Sequence, residues 1–404
     1  MAAKISGLDR QYSILFSVLY IAIPQFAYQL EFSNQSDTVA IAIFLATTSV
    51  FVFIKSNQKL ISLKSAISIV LYVLATSVYQ SISILPISLI LMFLFFKTGR
   101  VEMSPKESIN CLFKFLAISI ISVFIYLIMV KVTQNHFGVN SGTYLSNMVG
   151  WGKGDFLFLI KHIVKSILGY LSGNSYYGLL FVLLTPISFI VCAVILSLKL
   201  RGKSWLPLIY AFLMVLSPYI FIIILGGVQP PRTMISLSVV EAAIVTYALS
   251  LIGSQIITLI ISITVAIYGC LAASQLFYSD YMSYQSDMLL ANRIVTMINV
   301  KVPNFDAEKN KVYFYGAHVD QNEWRKNNSD VFGNSFFSWD GGNNSRIISF
   351  MRRTGVAYLN KVDSESVSDL RKTADSMPTW PNSDSVKKID NVVVIKLGTK
   401  PGVD

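Results

Sequence analysis

The chain has 404 residues, 53% of them hydrophobic and only 14% charged, with a formal net charge of +11 at neutral pH. That balance excludes an ordinary soluble domain and points to many membrane-crossing helices. The basic excess lies in residues 1–276, with 17 Lys and Arg against seven acids, while residues 277–404 carry 16 against 15; charge so placed orients spans and does not argue for a nucleic-acid partner.

The first apolar run opens near Gln11, after Lys4 and Arg10, and lacks a small-residue cleavage site. It is predicted to be an uncleaved span. Runs long enough to cross a bilayer lie near 12–30, 38–54, 113–130, 178–198, 205–225, 235–251 and 256–276. The run 65–96 is too long for one span and short for two. Lys55, Lys59 and Lys64 precede it, and Lys97, Arg100, Lys106 and Lys114 follow it. Both ends are therefore predicted on the cytoplasmic side. The run must enter and return, turning near Tyr79-Gln80-Ser81, as two short helices or a re-entrant pair, and short helices of this kind usually line a cavity.

With the N-terminus inside, residues 31–37, 131–177 and 226–234 are predicted outside and Lys199-Arg201-Lys203 inside. The fold class expected is a polytopic α-helical membrane protein with about nine crossings, in residues 1–276, and a C-terminal periplasmic α/β domain, in residues 277–404. Within the long outer loop, Asp155 to Tyr170 spaces apolar residues against Lys161, His162 and Lys165, as an amphipathic helix lying in the interface does. Beyond residue 277, helices are predicted over 283–299 and 345–353, and strands over Lys311–Val319 and Asn391–Leu397.

The short outer loop Gly226-Gly227-Val228-Gln229-Pro230-Pro231-Arg232 carries an arginine where few cations are expected. Two prolines stiffen it and remove backbone donors. A planar, always-charged guanidinium suits a phosphate oxygen pair; a snorkelling interface residue also fits. Glu31 and Asp37 flank the outer turn after the first span. A membrane glycosyl transferase with a lipid-phosphate donor needs one such carboxylate as base and a cation for the departing phosphate. Hydrated loop acids have the same pattern.

There is no P-loop, HExxH, GxSxG or Cys/His cluster with metal spacing, and Cys111, Cys192 and Cys270 lie in or beside apolar spans. The stretch Gly333–Asn344 sets aromatics beside Asp, Asn and Gly. Trp339 is suited to a sugar face, and Asp340, Asn343 and Arg346 to hydroxyls; the same composition also makes a turn into a helix.

Tyr79-Gln80, Pro230-Pro231-Arg232, Ser335–Arg346, Met377–Lys387 and Asp390–Leu397 together resemble the serotype-converting O-antigen glucosyltransferases of enteric bacteria and their phages. The similarity runs over nearly the whole chain. It implies a multi-pass inner-membrane enzyme of the GT-C type, a hexosyltransferase. Such an enzyme takes glucose from undecaprenyl phosphate glucose and adds it to an O-antigen acceptor in the periplasm, with no nucleotide sugar, metal or other cofactor. The family's catalytic carboxylate sits in the first large outer loop. Here the first run, with Pro24 and the Glu31–Asp37 turn, looks like a later span, which is expected either of a chain that lacks the first two spans and that loop or of a rearranged member of the family. A polyprenyl-lipid translocator, which needs no base, and an inactive remnant that still binds lipid or acceptor stay open beside the transferase.

Overall fold

The structure is a computed structural model that describes residues 7–32, 34–138, 149–153, 155–200, 204–307, 309–319, 322–363 and 367–402. Arg201 and Lys203 of the inner loop, and residues 139–148 and 154 of the long outer loop, lie outside the described residues. The chain divides into two compact units, Met1–Ala273 and Ser274–Asp404.

Unit one is helical: α1 (Arg10–Ala22), α2 (Gln25–Leu30), α3 (Ser36–Lys55), α4 (Leu63–Val78), α5 (Leu85–Gly99), α6 (Pro105–Phe137), α7 (Phe156–Leu171), α8 (Leu184–Leu200), α9 (Leu206–Leu216), α10 (Ile220–Leu225) and α11 (Ser236–Ile252), followed by α12 (Gln255–Lys301). Six stretches among the described residues are long and apolar enough to cross a membrane: Ser36–Lys55, Gln80–Gly99, Pro105–Phe137, Leu180–Leu200, Leu206–Leu225 and Gln255–Lys301. Leu63–Val78 and Ser236–Ile252 are shorter apolar helices. Pro24 breaks the first run between α1 and α2, since a proline lacks the donor that a continuing helix needs.

Helices α5 and α11 are buried almost all round, α5 packing against α9 and α11. A helix apolar on every side belongs at the centre of a bundle. Around them, α6 and α12 turn residues such as Phe124 and Leu259 outward, as a lipid-facing surface requires. The run 65–96 is two helices: α4 ends at Tyr79, whose φ of −150° and ψ of 115° leave the helical region. A five-residue 3-10 turn, Gln80–Ile84, then feeds α5. Asp155 caps α7, accepting the Phe158 N–H at 3.1 Å, and only Ile163 and Tyr170 of that helix are buried.

Unit two is built on a four-stranded sheet of β1 (Lys311–Tyr315), β2 (Asn360–Lys361), β3 (Val386–Ile389) and β4 (Val392–Lys396). Its order is β2-β1-β4-β3, with β1 parallel to β2 and β4, and β3 antiparallel to β4. Alternation sorts the side chains. Val312, Phe314, Val393 and Ile395 pack with Leu290, Ile294 and Ile298 of α12 and with α13 (Asn344–Arg353). Tyr313, Tyr315 and Val394 pack on the other face with α14 (Val367–Ser376). Both faces of such a sheet are covered.

Two expectations change. The helix over 283–299 is not separate, because α12 runs unbroken for 47 residues; nothing from 277 to 300 is Gly or Pro. The strand from Lys311 stops at Tyr315, because Gly316 takes φ +78° and turns the chain. Helix α14 and strand β3 were not anticipated.

Candidate functional site

A cavity of about 410 Å³ opens where α4 and α5 part. Tyr79, Gln80, Tyr126, Gln229 and Arg232 contribute its polar lining, with Phe221 and Leu225 among its apolar walls. Tyr79 and Gln80 reach it because the helix breaks there, which exposes side chains that a continuous helix would place in lipid. The Gln80 amide donates to the Tyr126 hydroxyl at 2.7 Å, which ties the turn to α6.

The loop that brings Arg232 is held at its carbonyls. Helix α10 ends at Gly226 in the left-handed region, φ +68°, and a Cβ there would lie 3.1 Å from the Trp151 indole nitrogen. Tyr170 donates to the Gln229 carbonyl at 2.7 Å, and the Gln25 amide donates to the Pro231 carbonyl. Thr233 Oγ1 donates to the Pro230 carbonyl at 2.8 Å and closes the 3-10 turn that carries Arg232. The guanidinium sits over the Phe32 ring, 5.1 Å from its centroid. A cation over an aromatic face is held electrostatically.

Phe32 follows Glu31, which is half-buried at the C-terminal end of α2, so the segment bearing Glu31 lies against Arg232. Asp37 is placed differently. It is exposed in the first turn of α3, and its carboxylate accepts the Thr38 N–H at 2.7 Å. Neither Glu31 nor Asp37 is among the residues that line the cavity.

Sequence reasoning missed the glutamines of α2. Gln25 and Gln29 are both buried, and Gln25 Oε1 and both amide atoms of Gln29 have no hydrogen-bond partner among the described residues. Their signal was two amides four residues apart, on one helix face, in an otherwise apolar run. Glu241, inside α11, is also buried, with its Oε2 lacking a partner among the described residues. An ionisable group at such a position is a functional candidate by its cost alone.

In unit two, the four expected sugar-binding residues form one cluster. Arg346 Nε donates to Asp340 Oδ2 at 2.7 Å, and its guanidinium lies 4.5 Å from the Trp339 ring centroid. Asn343 caps α13, its Oδ1 accepting the Arg346 N–H at 3.0 Å. Asn343 therefore has a structural task, and one face of Trp339 is already covered. The neighbouring Asn344 is buried and bridges to β1, accepting the Phe314 N–H at 2.7 Å and donating to its carbonyl at 2.8 Å. Across the sheet, Tyr315 donates to the Asp375 carboxylate; that bond, with burial, pushes the phenol up to about 12.

No group of three or more His, Cys, Asp or Glu among the described residues could hold a metal ion. The family described as Glucosyl transferase GtrII matches residues 5–249, more than half of the chain. No curated protein and no solved structure matches.

Proposed function

The chain belongs to the GtrII glucosyl transferase family, and from that premise we propose that it transfers glucose from undecaprenyl phosphate glucose to an O-antigen sugar. The reaction takes place on the periplasmic side of the bacterial inner membrane, with about nine crossings and unit two outside. An acceptor hydroxyl attacks the anomeric carbon, the carbon–oxygen bond to phosphate breaks, and undecaprenyl phosphate leaves. Arg232 binds the phosphate, and its contribution grows as negative charge collects on the departing oxygen. Glu31 takes the proton of the attacking hydroxyl. Between the two carboxylates, Glu31 is preferred to Asp37 because its segment lies against the arginine.

The observation that carries this reading is one cavity lined by Tyr79, Gln80 and Arg232. It sits at the Gln80 end of the stretch Gln80–Gly99, whereas Lys97 and Arg100 sit at the other end. Twenty residues of helix cover about 30 Å, the hydrocarbon thickness. The positive-inside rule then puts the cavity at the outer leaflet, where a polyprenyl-phosphate sugar presents its headgroup to the periplasm. The cluster of Trp339, Asp340, Asn343 and Arg346 contributes to acceptor binding, through the partly exposed Trp339 ring and the exposed edges of Asp340 and Arg346.

The test is glucose transfer in membranes containing the chain, with the Arg232→Ala variant beside it. Loss of transfer with retained protein supports the reading. A lipid translocator would instead move the lipid across the bilayer with no new glycosidic bond.

A further inference from the structure

A second cavity, of about 580 Å³, lies at the opposite end of the same helices. Thr98 near the end of α5, Lys199 near the end of α8, and Met103, Pro105 and Leu206 at the starts of α6 and α9 line it. The stretch Leu206–Leu225 joins the two cavities as Gln80–Gly99 does: Leu206 borders this one, while Phe221 and Leu225 border the first.

Its chemistry is mixed in a particular way. Met103, Leu200 and Leu206 make apolar walls, and Thr98, Ser204 and the Lys199 ammonium supply polar groups. Val101, also in the lining, is 70% exposed and has φ +60°, so a branched apolar side chain stands out from a turn where glycine is usual. The surroundings are cationic. Arg100 donates to the Gly7 carbonyl at 2.7 Å, and Lys106 stands in the first turn of α6. The nearby acids are already engaged: Glu102 pairs with Lys97, and Glu107 closes the capping box of α6 on Ser104. The N-terminal ends of α6 and α9 meet the C-terminal ends of α5 and α8 at this rim, so the helix dipoles offset one another and the cationic side chains set the field.

A soluble anion would gain nothing from the apolar walls, and an uncharged lipid nothing from Lys199. We propose that this cavity binds an anionic glycerophospholipid, its phosphate at Lys199 and its glycerol and first acyl carbons along Val101, Met103 and Leu206. A basic pocket between helix ends at the inner interface is where such a headgroup is stabilised. The inference does not depend on the transferase reading, because no residue of the Arg232 cavity takes part.

The experiment follows thermal unfolding of the detergent-purified full chain with added phosphatidylglycerol, phosphatidylcholine or inorganic phosphate. Phosphatidylglycerol is expected to raise Tm more than phosphatidylcholine does, because a ligand bound only by the folded state stabilises it. Lys199→Glu and the milder Lys199→Gln are expected to reduce that increment to the phosphatidylcholine level. Lys199 is exposed, so both variants keep the fold. Lys59→Glu, in the loop before α4, is expected to keep the increment. The proposal is overturned if both lipids act equally, if the Lys199 variants keep the increment, if Lys59→Glu loses as much, or if inorganic phosphate reproduces it.

Discussion

The guanidinium of Arg232 rests over the ring of Phe32, 5.1 Å from its centroid. The loop 226–232 is therefore held against both ends of α2, by Phe32 just after the helix and by the Gln25 amide, at its first residue, on the Pro231 carbonyl. An arginine that is to meet a phosphate in a fixed geometry needs its backbone fixed first.

The loop clamp is expected to act on donor binding more than on folding. Gln25→Leu removes the donor to the Pro231 carbonyl, and Tyr170→Phe removes the donor to the Gln229 carbonyl. Each loses one buried hydrogen bond, about 1 kcal/mol, or about fivefold in the donor KM. Steady-state kinetics against donor lipid measure it; an unchanged KM with a lowered yield of folded protein would make the clamp purely structural.

In unit two, Trp339→Ala and Asp340→Asn are expected to weaken use of the acceptor more than of the donor. The first removes the ring beneath Arg346, the second its charged partner. Varying acceptor and donor concentrations separately decides it. Equal losses in both, or loss of the protein from membranes, would leave the segment with only its role as the turn into α13.

The Tyr315–Asp375 bond has a pH signature. The phenol is held up to about 12 in the folded chain against an ordinary value of 10.0. A raised folded value gives stability that is complete below the unfolded value and is lost as pH rises through the folded one. The Tm difference between the wild-type chain and Tyr315→Phe is therefore expected to be constant up to about pH 10 and to shrink from there to about pH 12. A difference that does not move over that window would remove the bond from the stability of unit two.

Orientation is checked by fusions. Alkaline phosphatase joined after Asp404 is expected to be active, and joined at Lys59 to be inactive, because the lysine-rich loops mark the inner side. Activity at Lys59 would invert the side assigned to the Arg232 cavity.

The helix pair at Tyr79 was legible because cations at both ends of the run 65–96 leave it no other path. The arginine loop was legible because its prolines and lone cation break an apolar pattern. The partners that hold that loop were not. Gln25 is 206 residues from Pro231, and Tyr170 is 59 from Gln229, and no local periodicity encodes such distances. Lys387 and Lys388 hid strand β3, since both are exposed and interrupt the alternation of a sheet edge. The composition around Asn343 suits a turn into a helix better than a sugar ligand, and the Arg346 N–H donating to its Oδ1 places it at the cap.

The central claim is that Arg232 binds the phosphate of a polyprenyl-phosphate sugar while its glucose is transferred. The direct measurement is transfer of labelled glucose from undecaprenyl phosphate glucose, with the wild-type chain, Arg232→Lys and Arg232→Ala at matched amounts in membranes. Losing one charged contact in the transition state costs on the order of 3 kcal/mol, about a hundredfold in rate. Arg232→Ala is expected to fall by that factor. Arg232→Lys, which keeps the charge without the planar two-point contact, is expected to fall between the two. Transfer by Arg232→Ala at the wild-type rate, with the same dependence on donor concentration, would contradict the claim and leave the arginine as an interfacial anchor.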